Sequence, residues 1–332
     1  MIYREDFDKT FVIILSSILV VEMLIGLTAN ICVLVVGRDV MKRYWEKGNN
    51  FNMNLHVVDS VICIFTIPLT MVYLLTSRFQ HPIFCLVFEG AVSFTSSASS
   101  LTLFFICLDR YFAMTAPTEP CVISRRTNVF IALVWLGACF AFCAPFFGFD
   151  VELFHTTNWT HSTCGDILWQ MDDGYFYELI YIIAFLMTVI AMILFYCSVK
   201  RIYKKRNAVR TALVNASLPF GMKGATPRGE NKGAVLSMGI VFAFLVFWGP
   251  HLVVTIITMF VRDSLFLDVT QILCLVFAFL TPVIHPILYA ALRPKFREML
   301  KRKLTRDTVA IGCASYNKDR ALATIEVPRT IS

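Results

Sequence analysis

Seven runs of largely apolar residues constrain this chain more than any motif within it. They cover roughly 11–36, 51–76, 84–108, 128–148, 175–199, 234–261 and 267–292. A helix needs about 20 such residues to cross the hydrocarbon core of a bilayer. Lipid supplies no hydrogen-bond partners, so each run must satisfy its backbone internally, as a helix. Hydrophobic residues make up 57% of the 332 and charged residues 16%, whereas a soluble domain carries about a quarter charged residues. The expected fold is an all-α membrane protein, a bundle of seven transmembrane helices. Its expected organisation is a short outer segment 1–10, the bundle 11–292, an amphipathic helix 293–304 and a tail 305–332. Met1 to Thr10 lacks a basic n-region and a small-residue cleavage site, so the first span reads as an uncleaved signal anchor.

Basic residues orient the bundle. Arg38, Lys42, Arg43 and Lys47 follow span one, and Arg125 and Arg126 precede span four. The segment between spans five and six holds Lys200, Arg201, Lys204, Lys205, Arg206 and Arg210, and Lys301, Arg302, Lys303 and Arg306 follow span seven. The opposite loops are acidic, with Asp150, Glu152, Asp166, Asp172 and Asp173 in the longest. The positive-inside rule puts the N-terminus outside and the C-terminus in the cytosol, which requires an odd number of crossings. The net charge of +7 then belongs to the cytoplasmic face and to anionic lipid rather than to nucleic acid.

Of the eleven cysteines, Cys32, Cys63, Cys107, Cys139, Cys143, Cys197 and Cys274 fall inside spans, as small packing residues. Cys85 and Cys164 lie on the predicted outer, oxidising face, and a disulfide between them is the economical reading. The sequon Asn158-Trp159-Thr160 in the same loop is open to glycosylation. The chain has no metal-ligand spacing, phosphate-binding glycine loop or Ser-His-Asp set, so an enzyme is not expected.

Further residues resemble the rhodopsin-like G-protein-coupled receptors, from about Gly26 to Leu300. The markers run in order: Asn30 after Gly26; Asn54-Leu55-His56-Val57-Val58-Asp59; Cys85; Asp109-Arg110-Tyr111; Trp135 and Pro145; Tyr196; Phe244 with Phe247-Trp248-Gly249-Pro250; and His285-Pro286-Ile287-Leu288-Tyr289. The resemblance implies a plasma-membrane receptor that passes an extracellular signal, or basal activity, to a heterotrimeric G protein by outward movement of helix six. Arrestin and receptor kinases are further implied partners.

The resemblance also implies roles. Arg110 is the switch, held by Asp109 and by an acid at the start of helix six, here Glu230. Arginine suits this because its planar fork exchanges partners while staying charged. Trp248 with Pro250 forms a hinge, since proline removes a backbone donor, and Phe244 packs beside it. Tyr196 and Tyr289 line the opened cleft. In the family, a sodium ion sits at the counterparts of Asp59 and Ser99, near Asn30. An Asp at mid-membrane costs about 2.5–3.5 kcal/mol on insertion scales and needs partners. His285 replaces the family's Asn in span seven, so coupling of Asp59 to His285 is expected in place of ordinary sodium modulation.

The outer pocket departs from two known ligand classes. Val92 stands where amine receptors carry an Asp, and Phe279 stands where opsins carry the retinal lysine. Neither a biogenic amine nor retinal is expected. The remaining candidates are Glu89, Ser93, Ser96, Glu178, His251, Thr255 and Gln271, whose acids favour a cationic or peptide ligand. Thr188 replaces the usual proline of span five. Glu22 either snorkels outward or faces the bundle. Phe296, Met299 and Leu300 are expected on the lipid side of the amphipathic helix. The alternatives are a receptor-shaped chaperone or heteromer subunit without signalling of its own, and a transporter. A transporter predicts repeat symmetry or broken helices lining a pore, which the sequence lacks.

Overall fold

Span three lies at the centre of the bundle. Its apolar stretch is 72% buried within the protein, against 17% for span four. The sequence explains this position. Ser93, Thr95, Ser96, Ser99, Ser100 and Thr102 are all buried along it, and small side chains let neighbouring helices approach closely. Several hydroxyls are satisfied within the helix: Thr95 Oγ1 donates to Ala91 O at 2.9 Å, and Thr102 Oγ1 to Ala98 O at 2.7 Å. These two hydroxyls therefore add little polar cost.

The computed structural model describes residues 8–44, 50–75, 82–115, 120–147, 174–217, 229–258, 260–261 and 265–305. Among these there is no strand. Seven helices are long and apolar enough to cross a membrane: Lys9–Lys42, Asn50–Leu75, Ile83–Phe112, Arg125–Phe146, Ile182–Val209, Val235–Thr258 and Phe266–Leu292. They are spans one to seven below. Span three packs against spans two, four, five and six, and span seven against one, two and six. Large apolar side chains on the outside, such as Leu136, Phe140 and Phe242, remain exposed, as lipid-facing residues should.

Prolines shape three spans. In span two the helix widens to a π turn over Ile62–Thr66, closed by Ile67 N–H on Ile62 O. Pro68 follows directly, and its ring would clash with the carbonyl four residues back. Span six carries Pro250 inside Gly229–Thr258. Span seven is two helices, Leu265–Ala278 and Thr281–Leu292, with Pro282 in the first turn of the second. Helix five has no such break: with Thr188 in place of proline, Gly174–Ser217 continues for 44 residues.

After span seven the chain turns at Arg293, whose backbone is extended, and re-enters a helix over 294–305. Here the structure corrects an expectation. Phe296 and Met299 do not face lipid; they are 2% and 7% exposed, and Leu300 packs against the same core. Phe296 meets the Tyr289 ring edge-on at 5.2 Å. Lys303 Nζ reaches Asp39 Oδ2 at 2.5 Å, so the helix docks onto the end of span one.

Spans three and four approach closely at Gly90. A Cβ there would lie 2.7 Å from the Phe142 carbonyl oxygen, a backbone atom that cannot rotate away. Gly90→Val should destabilise the purified protein by about 1–3 kcal/mol, as overpacking does. Thermal unfolding in detergent reads this; an unchanged midpoint would mean that spans three and four separate freely.

Candidate functional site

Asn30 organises a buried polar layer between spans one, two and seven. Its Nδ2 donates to Gly26 O at 2.8 Å and to Pro282 O at 2.7 Å. The second bond exists because Pro282 opens a helix, leaving a carbonyl available across the interface. With both amide hydrogens used, Oδ1 is the acceptor that faces His56 Nδ1 at 2.7 Å. His56 therefore carries its proton on Nδ1, an assignment made from the network. The His56 ring stands edge-on to Tyr289 at 5.2 Å.

One turn further along span two, Asp59 Oδ2 meets His285 Nδ1 at 2.9 Å, and neither side chain has any exposed surface. Two ionisable groups in a low-dielectric site are tolerated only when paired closely in this way. Ser99 lies buried on span three.

A third connection crosses spans two, three and four. Asn54 Nδ2 donates to Thr102 Oγ1, and Trp135 Nε1 donates to Asn54 Oδ1, both at 3.0 Å. The Asn54 amide thus fixes the side-chain geometry of two neighbours.

Span six is held differently. Phe244 stacks with Trp248 at 6.0 Å and meets Phe185 of span five at 5.8 Å. The His251 ring stands edge-on to Trp248 at 6.0 Å. These contacts are apolar and weakly directional, whereas His251 also hydrogen-bonds the Gln271 backbone of span seven.

At the end bearing the basic loops, Asp109 Oδ1 lies 3.3 Å from Arg126 Nη2 of span four. Tyr111 meets Phe195 edge-on at 5.6 Å. Arg110 is partly buried on the same turn of span three, Tyr196 is partly buried on span five, and Tyr289 is fully buried. The Glu230 side chain lies outside the described residues. Asp109 thus reaches span four through Arg126, and Tyr111 reaches span five through Phe195.

At the other end Cys85 is disulfide-bonded; Cys164 and the Asn158 sequon lie outside the described residues. Val92, Ser93, Ser96, His251 and Phe279 are buried, while Glu89, Thr255 and Gln271 are partly buried. The Glu178 side chain is likewise outside the described residues. Glu22 faces the bundle, at 5% exposure, which decides the question left open by sequence.

Comparison with known proteins agrees with this architecture. The family described as 7 transmembrane receptor (rhodopsin family) matches residues 29–289. The chain belongs to this family. It is 28% identical to G-protein coupled receptor 22 of Rattus norvegicus over 92% of this chain and 82% of that protein. The human receptor of the same name is 27% identical over the same shares. The histamine H2 receptor of Canis lupus familiaris is 25% identical, over 86% of this chain and 77% of that protein. Met53-Asn54-Leu55-His56, Ile67-Pro68-Leu69-Thr70 and His285-Pro286 point to the first of these by sequence. These relatives are receptors, not enzymes.

Several contributors were missed as site residues, among them Asn54 and Trp135, which stood only as family markers. His56 stands one turn before Asp59 and Thr102 one turn after Ser99, so helical spacing from a known site residue would have found both. Phe185 stands three residues before Thr188, where an aromatic partner for Phe244 was not sought. Arg126 was read only as an orientation signal.

Breaking one side of a buried pair costs about 3–5 kcal/mol. His285→Leu should therefore lower the unfolding midpoint strongly, and Asp59→Asn in the same chain should recover part of the loss. Equal stability of wild type and His285→Leu in detergent would show that the pair contributes nothing.

Proposed function

We propose that this receptor couples to heterotrimeric G proteins by outward movement of span six. The observation that carries this reading is the gathering of Asp109-Arg110-Tyr111, Tyr196 and Tyr289 at the basic end of a bundle whose span six rests on aromatic contacts. In this reading the basic end is cytosolic, the N-terminus is outside, and the protein resides in the plasma membrane. An extracellular ligand, or intrinsic bias, favours the open state because the two states differ in affinity for ligand and partner. Arg110 then leaves its resting partners and lines the cleft that receives the G protein. Arrestin and receptor kinases would use the same open face.

The ligand is not a typical biogenic amine in this reading, even though the canine relative bears the name of a histamine receptor. Val92 provides no carboxylate for an ammonium group. The polar layer also works without sodium. An imidazole N–H occupies one oxygen of Asp59, and a hard cation selects oxygen ligands rather than N–H groups. His285 takes one oxygen of Asp59, the other oxygen and the Ser99 hydroxyl stay buried without a protein partner, and ordinary sodium modulation is not expected in this reading.

Two measurements test this. Basal nucleotide exchange by the full chain in vesicles with purified G proteins of each class should exceed that of empty vesicles with at least one class. Arg110→Ala should abolish it; exchange indifferent to Arg110 would overturn the reading. Raising sodium from zero to physiological concentration should leave basal exchange unchanged, whereas His285→Asn should make it sodium-sensitive. A strong sodium response in the unmodified receptor would refute the substitution argument.

A further inference from the structure

Asp109 meets a guanidinium of span four, that of Arg126. Arg126, in the first part of the helix Pro120–Cys143, places Nη2 at 3.3 Å from Asp109 Oδ1. The side chains of Arg126 and Asp109 are 21% and 7% exposed, so the contact is sheltered on the carboxylate side. The same guanidinium lies over the Phe112 ring, with Cζ 4.7 Å from its centroid.

Asp109 and Phe112 are three residues apart on one helix and so share a face. Together they offer a carboxylate beside a flat ring. That combination suits a planar guanidinium better than an ammonium, because only the former can stack and donate a directed N–H at once. Arg126 is thereby held at two points rather than left as a solvated boundary charge. Arg110 lies about 100° further around the helix, away from this cradle.

From this geometry we infer that Arg126 is a positioning residue for the switch: it draws the Asp109 carboxylate toward span four and so weakens the restraint on Arg110. In this account one carboxylate is shared between two guanidiniums. Each increment of its hydrogen bonding spent on Arg126 is withdrawn from Arg110, and the positive charge of Arg126 offsets the field that Asp109 exerts there. Span four does not move with the opening in this account; it sets how readily opening occurs. The inference rests on the proposed role of Arg110, but the pairing itself does not.

The test uses the full chain in vesicles, with purified G protein, and the detergent-solubilised protein. Arg126→Gln should lower basal nucleotide exchange about two- to fivefold, the range of a partly exposed charge pair. Arg126→Lys should give an intermediate value, and Phe112→Leu a smaller loss with the ion pair retained. In an Asp109→Asn background, Arg126→Gln should have no further effect on exchange. A purely structural role would lower exchange equally in both backgrounds and would overturn the inference, as would an unchanged or raised rate in Arg126→Gln alone. A thermal double-mutant cycle on Asp109 and Arg126 should show non-zero coupling, whether or not exchange is detectable; zero coupling refutes the pairing. Exchange that is unaffected by Arg110→Ala sinks the receptor mechanism instead, and removes the positioning role with it.

Discussion

The Asp59–His285 pair sets the terms on which the rest of the bundle can move. Both groups are fully buried and 2.9 Å apart, so separating them strands an ionisable group in a medium that solvates it poorly. Asn30 adds a second tie in the same layer, through Pro282 and His56. Spans one, two and seven are therefore joined by directional polar contacts with few alternatives. Span six rests largely on stacked rings, with a polar tie from His251 to the Gln271 backbone. The molecule divides into a stiff part and a compliant part, and the division follows from interaction type rather than from helix length.

Much of this was legible in the chain. Apolar length alone located all seven spans, because a bilayer tolerates little else. The coupling of Asp59 to His285 followed from chemistry: a mid-membrane acid needs a partner, and an imidazole stood where an amide was expected. Other features were illegible for physical reasons. Phe296 and Met299 show the periodicity of a lipid-facing stripe, but the same stripe can bury against protein. Only the turn at Arg293 determines which surface it meets. Arg126 looked like one of many orienting bases, because its pairing depends on where span four crosses span three. That crossing rests on close approaches such as Gly90 to the Phe142 backbone, which composition does not encode.

The chain combines a neutral scaffolding network with altered working parts. Asn54, Trp135 and Thr102 build a neutral network that any bundle of this shape could use. By contrast Val92, Thr188 and His285 each replace a residue type that the family resemblance leads one to expect. All three lie where a bundle of this kind would receive a ligand or transmit its effect. Stability and signalling chemistry are thus distributed over different residues, and the second set can vary while the first keeps the helices in register.

The uninterrupted helix Gly174–Ser217 has a mechanical consequence. At 1.5 Å per residue its 44 residues span roughly 66 Å, about twice the hydrocarbon thickness. With no proline to absorb bending, it behaves as a single spar. A tilt of about 5° about its midpoint displaces each tip by roughly 3 Å, a purely geometric gain on a rod of that length. A small rearrangement beside Phe185 would then arrive at the far tip as a lateral sweep, without a flexible joint on the way.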